Sequence, residues 1–193
     1  MYHFAPRQPR ARTCGPTALS LYVAFAGFCA MPAISLERAS CASGTETDVD
    51  RLASYRLAVP VVGITKQNLR DTFSDRREGH QHEALDIPAR RGTQVVAAGD
   101  GRVVKLFRSA AGGLTVYQFD PCEQFAYYYA HLDSYAQGLS EGKMLKRGEL
   151  IGAVGSTGNA REDAPHLHFA IFKLGAEKRW WKGSPINAFL VLN

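Results

Sequence analysis

The chain has no CxxC pair among its four cysteines, no apolar run of 20 residues, no internal repeat and no low-complexity tract. The missing CxxC argues against a cysteine-rich structural zinc site. The longest apolar run, ALSLYVAFAGFCAMPA, is short for a membrane span, which needs about 20 residues. Acidic residues are absent before Glu37, while Arg7, Arg10 and Arg12 precede it. Those three arginines carry much of the formal charge of +5; from residue 34 onward, 20 basic side chains face 18 acidic ones. A body this close to neutrality offers no electrostatic footprint for nucleic acid, and none is expected as a partner. At 46% hydrophobic and 21% charged, the composition is that of a globular protein, one domain or one domain plus a tail.

The N-terminus has a targeting layout, with the basic stretch RQPRAR ahead of the apolar run. Residues 1–33 read as a signal peptide, with small residues for cleavage near Ala26, Ala30 and Ala33, or as a retained membrane anchor through residues 14–33. Phe28 before Cys29 disfavours a lipoprotein signal, which carries a small residue there. The protein is expected to be exported to the periplasm or cell envelope, attached to the inner membrane if the segment is kept. Residues 34–54 read as a polar linker with one helical turn at most. Cys41 and Cys122 would then meet an oxidising compartment, where they either pair or both stay free.

Past Tyr55 the texture changes. Short runs such as LAVPVV, RVVKLF, LTVYQF, FAYYYAHL and HLHFAIF are separated by glycine, aspartate and asparagine. Many short strands at close spacing predict an all-β fold, an antiparallel sheet or sandwich, over residues 55–193. Gly99-Asp100-Gly101 between two valine-rich runs predicts a tight hairpin. Helix is scarce, with one or two turns expected over residues 66–72.

Five histidines lie in this region. In GHQHEALDI, His82 and Asp86 are four apart, which in a strand puts both on one face with the small Ala84 between them. In APHLHFAIF, His166 and His168 share a face, while Leu167, Phe169 and Ile171 form an apolar back. In FAYYYAHL, Tyr127, Tyr129 and His131 alternate onto one face, making Tyr127 and Tyr129 candidates for the wall of a polar groove. A catalytic zinc takes three protein ligands and keeps one position for water, and the count of histidines and acids fits that arrangement. His80 shares parity with His82 and competes with it as a ligand, although Gly79 points to a loop there.

The landmarks HEALDI, RRGTQVVAAGDGRVV, YYYAHL, KRGELIGAVGSTGN and PHLHF, in this order from Leu57 to Phe172, resemble those of the lysostaphin-type (LytM-like) zinc peptidases. The resemblance implies a compact antiparallel sheet with a substrate groove, and one Zn2+ per chain held by His82, Asp86 and His168, with His131 and His166 as the catalytic pair beside it. It implies hydrolysis of peptide cross-links in bacterial peptidoglycan, with the peptide stems as partners. The chain departs from the family at Ala84, where glycine is usual, and at Ala170, where glutamate is frequent beside the last ligand; NAREDAP before HLHF looks longer than usual. A non-catalytic regulator of cell-wall amidases on the same fold is the alternative, and a peptidase acting outside the wall is a third reading. The oligomeric state is not legible.

Overall fold

The computed structural model describes residue 41 and residues 45–192 except residue 78. The targeting segment and most of the linker, with Cys14 and Cys29, lie outside the described residues. Among the described residues, no helix is long and apolar enough to cross a membrane.

Chain segment 48–54, read above as linker, is a short helix, α1 (Asp48–Ser54). The Thr47 hydroxyl accepts from the Asp50 amide, and Asp48 and Asp50 complement the positive end of the helix. Leu52 anchors α1 in the core with no exposed surface. Just ahead of it, Cys41 is disulfide-bonded to Cys122, closing a sequence separation of 81 residues. Over 66–72 only a single 3-10 turn, Lys66–Asn68, forms.

Among the described residues, all of the remaining regular structure is strand, apart from a last 3-10 turn at Ala188–Leu190. Strands β1 (Arg76–Arg77) and β2 (His80–Gln81) make a small ribbon. The main sheet contains β3 (Leu85–Pro88), β4 (Gln94–Val96), β5 (Gly101–Ser109), β6 (Gly113–Phe119), β7 (Phe125–Tyr135), β8 (Met144–Leu145), β9 (Leu150–Val154), β10 (His166–Leu174) and β11 (Gly183–Ile186). Every pairing between these strands is antiparallel, in the path β11-β10-β7-β6-β5-β8. The sheet curls because its long strands change partners along their length. β10 pairs with β3 over His166–Phe169 and with β11 over Ile171–Leu174, and β7 pairs with β10 as far as Ala130 and with β9 from Leu132 on. The antiparallel all-β expectation therefore holds.

The hairpin expected at Gly99-Asp100-Gly101 does not form. β4 pairs with β9 and β5 with β6 and β8, so the triplet is a corner between two parts of the sheet. Asp100 pins that corner to the turn before β9, accepting from the Arg147 amide at 2.8 Å and from Lys146 Nζ at 2.8 Å.

Inside the curl lie Leu85, Ile87, Val103, Val116, Leu167, Phe169 and Ile171, the alternate residues of their strands, together with Tyr127 and Tyr129. The Tyr129 hydroxyl accepts from the Ala98 amide (3.0 Å) and donates to Gln118 Oε1 (2.8 Å), whose Nε2 donates to the Gly99 carbonyl (2.9 Å). Every polar atom of this buried chain has a partner, as a sealed core requires. Tyr127 and Tyr129 are consequently core residues with no exposed surface, not groove wall. On strict alternation they face away from Tyr128, and it is Tyr128 that reaches the open face.

Candidate metal centre and active site

His82 and Asp86 are not presented by one strand. Residues 82–84 form a bend before β3, with Glu83 in the left-handed region at φ 54°. Their convergence depends on Thr72, a buried residue ten positions upstream. The Thr72 carbonyl receives His82 Nδ1 (3.0 Å); its hydroxyl donates to the Ala84 carbonyl (3.1 Å) and accepts the Asp86 amide (3.0 Å). Ala84 is buried beneath this bend rather than lining a groove. His168 enters from β10, whose Cα register sets it opposite Asp86 on β3 and Ala130 on β7. Here the alternation predicted for HLHF holds.

Three donor atoms converge. His82 Nε2 lies 3.1 Å from Asp86 Oδ1 and 3.1 Å from His168 Nδ1, and His168 Nδ1 lies 3.2 Å from Asp86 Oδ1. Because the His82 Nδ1–H is committed to a carbonyl, its Nε2 presents a lone pair. Two imidazole nitrogens and a carboxylate oxygen at these distances need a proton or a metal cation between them. A tetrahedral ion with bonds of about 2.0–2.1 Å has ligand-to-ligand edges of roughly 3.3 Å, close to those seen. His82, Asp86 and His168 are a group able to hold a metal ion. Burial opposes the charge on Asp86, but hydrogen bonds to His168 and His82 outweigh it and hold the carboxyl well below the usual carboxylate range. Arg77, on β1, takes the other oxygen: its Nη2 is 2.7 Å from Asp86 Oδ2. Oδ1 alone is left to face the triangle. His80 is exposed on β2 and is not part of the group.

The other two histidines flank the triangle. His131 follows a break in the β7 register and has φ 59°, a left-handed conformation that is costly for a residue with a side chain. Its amide donates to the Gly112 carbonyl (2.8 Å). That twist moves His131 off the core-side parity of Tyr127 and Tyr129 and onto the face of His168, ring centroids 5.6 Å apart. Nδ1 of His131 is held by the Thr157 carbonyl (2.8 Å) and Nδ1 of His166 by the Ala164 carbonyl (2.9 Å). Both rings therefore present Nε2 to the cleft, and their centroids are 5.0 Å apart. Gly113 brings the Thr157 loop into place: with φ 64°, an added Cβ there would stand 2.1 Å from Thr157 Oγ1. Burial, the largest influence, pushes the His131 imidazolium down to about 4, with the Thr157 bond working the other way. Burial also lowers His168, against the pull of Asp86.

All five residues singled out by the motifs thus meet in one place. The reading from sequence missed Thr72, Thr157 and Arg77, which position them and carry no motif of their own. Ala170, noted above as a departure from the family's frequent glutamate, is buried opposite Tyr128, whose ring stands edge-on to His168 at 5.9 Å.

A curled antiparallel sheet with such a cluster on its open face is the architecture of the lysostaphin-type peptidases. The chain belongs to peptidase family M23, whose family model matches residues 80–188. It is 31% identical over 131 residues to the L-Ala--D-Glu endopeptidase of Bacillus subtilis, covering 64% of this chain and 40% of that protein. Among solved structures it is similar to Helicobacter pylori Csd3 (TM-score 0.56, 30% identity, 72% of this chain and 35% of that one). It is also similar to the catalytic domain of lysostaphin from Staphylococcus simulans (TM-score 0.50, 25% identity, 75% and 98%). The chain spans less than half the length of the curated relatives it first matches.

Proposed function

We propose that the chain is an exported, zinc-dependent endopeptidase that hydrolyses peptide cross-links of bacterial peptidoglycan. The observation that carries this reading is the triangle of donor atoms at 3.1–3.2 Å with two further imidazoles beside it. His82, Asp86 and His168 hold the ion, one per chain. When bound, zinc supplies the Lewis acidity that makes water nucleophilic near neutral pH.

The chain's own residues supply the proton traffic. With Nδ1 of His131 and of His166 bonded to carbonyls, Nε2 of one of them takes a proton from the attacking water. The resulting N–H becomes a donor that steadies the oxyanion of the tetrahedral intermediate and then protonates the departing amine. The left-handed backbone at His131 is explained by this duty. The disulfide between Cys41 and Cys122 supports export, since such bonds persist in oxidising compartments. Residues 1–33 serve as the targeting segment.

Metal analysis and a cross-linked muropeptide assay on the same preparations test the reading. His82→Ala, Asp86→Ala and His168→Ala should lose bound zinc. His131→Ala and His166→Ala should keep most of it and lose hydrolysis. Full activity in His168→Ala refutes the assignment. A zinc-free wild type that stimulates an added amidase favours a regulator instead.

A further inference from the structure

The metal centre is one end of a continuous run of aromatic rings. From His168 the steps are Tyr128 (5.9 Å between centroids), Tyr117 (4.6 Å) and Trp180 (4.8 Å). Phe107 (5.4 Å) and Trp181 (5.1 Å) then stand beside Trp180. Tyr117 and Tyr128 are cross-strand partners on β6 and β7, and Trp180 belongs to the loop joining β10 to β11. That loop, GAEKRWWK, folds back so that Trp180 is half-buried against Phe119, Ala126 and Leu174 on the open face of the sheet. Trp181 and Phe107, by contrast, are 59% and 40% exposed. Nothing in the proposed chemistry uses these rings.

We propose that Trp181 and Phe107, set on Trp180, form a subsite for an N-acetylated aminosugar of the glycan strand, so that the stem peptide is bound together with the sugar that carries it. This rests on the peptidoglycan reading given above. Three features favour a sugar. First, the spacing fits: an extended peptide advances about 3.3 Å per residue, so the three steps from His168 to Trp180 correspond to at most four or five residues. The tryptophans are therefore within reach of a sugar at the root of a stem whose cross-link lies at the metal centre. Second, a pyranose has a flat C–H face rimmed by hydroxyl and acetamido groups. An exposed indole with polar groups beside it complements it: Arg179, paired with Glu177, lies over one face of the Trp181 ring with its guanidinium carbon 5.9 Å from the centroid, and Lys178 and Lys182 flank the pair in sequence. Third, Trp180 is packed against Phe119, Ala126 and Leu174, so Trp181 stands on a fixed platform, the preformed surface that stacking on a rigid sugar ring needs.

Trp180 and Trp181 are the chain's two tryptophans, so all tryptophan emission of the full chain reports on this loop. Titration with the tetramer of N-acetylglucosamine should shift that emission saturably, and Trp181→Ala should weaken binding of the tetramer about tenfold. The ratio of kcat/KM for a glycan-linked cross-linked substrate to that for the same cross-linked peptide without sugar should fall about tenfold in Trp181→Ala. It should stay unchanged in Leu190→Ala, an exposed apolar side chain elsewhere. Absence of an emission change with the tetramer, or a change with anionic phospholipid vesicles alone, overturns the subsite. So does an unaltered ratio in Trp181→Ala. If neither substrate is cut, the endopeptidase reading fails, and the titration still decides the subsite.

Discussion

Tyr129→Phe separates a tyrosine of the core from a tyrosine of the groove. The substitution deletes one oxygen that serves two buried partners: the Ala98 amide at 3.0 Å and Gln118 Oε1 at 2.8 Å. Both residues have no exposed surface, so water cannot take over either bond. A buried polar group left without its partner costs about 1–3 kcal/mol. Two of them, eased by the better burial of phenylalanine, should cost about 2–4 kcal/mol. For a domain of this size each kcal/mol lowers Tm by about 2–4 °C, so a fall of roughly 10 °C is expected. Turnover and zinc content, measured well below the new Tm, should match the wild type, because the hydroxyl is walled off from the cleft. Thermal unfolding followed by circular dichroism, with peptidoglycan hydrolysis and metal content on the same samples, makes the comparison. An unchanged Tm with turnover reduced tenfold would put Tyr129 in the groove and refute the reasoning.

Two further outcomes follow from the site. Arg77→Ala should release Asp86 Oδ2 and weaken zinc affinity about 10- to 100-fold in a chelator competition, with Arg77→Lys retaining part of the affinity; equal affinities in all three proteins would dismiss the contact. The metal-free chain should lose stability as pH falls from about 6.5 to about 4. Across that window the unfolded state protonates residue 131 while the folded state, with His131 held at about 4, does not. The loss from this group approaches about 3 kcal/mol, being absent above the window and complete below it. Urea unfolding at several pH values should show a shallower pH dependence for His131→Asn, and identical slopes for the two proteins would contradict the assignment.

The β class and the chemistry-bearing residues were readable along the chain because both are local. Alternation over HLHF separates two histidines from Leu167, Phe169 and Ile171 whatever the strand pairs with, and the apolar runs between glycines mark strands on their own. The same rule misplaced Tyr127 and Tyr129 relative to His131. Alternation cannot register a residue at φ 59°, and that conformation arises only where β7 slips against β6 and the Gly112 carbonyl captures the His131 amide. His82 and Asp86 do meet, but not along one strand, since the bend between them is held by Thr72 from outside the motif. Likewise, the export reading left Cys41 and Cys122 either paired or both free, and it is proximity in the fold that joins them. Residue type and period belong to the chain, so they survive in the linear string. The twist at His131, the Thr72 peg, the Arg77 contact and the run of rings ending at Trp180 each need a partner far away in sequence, and so they exist only once the sheet has closed.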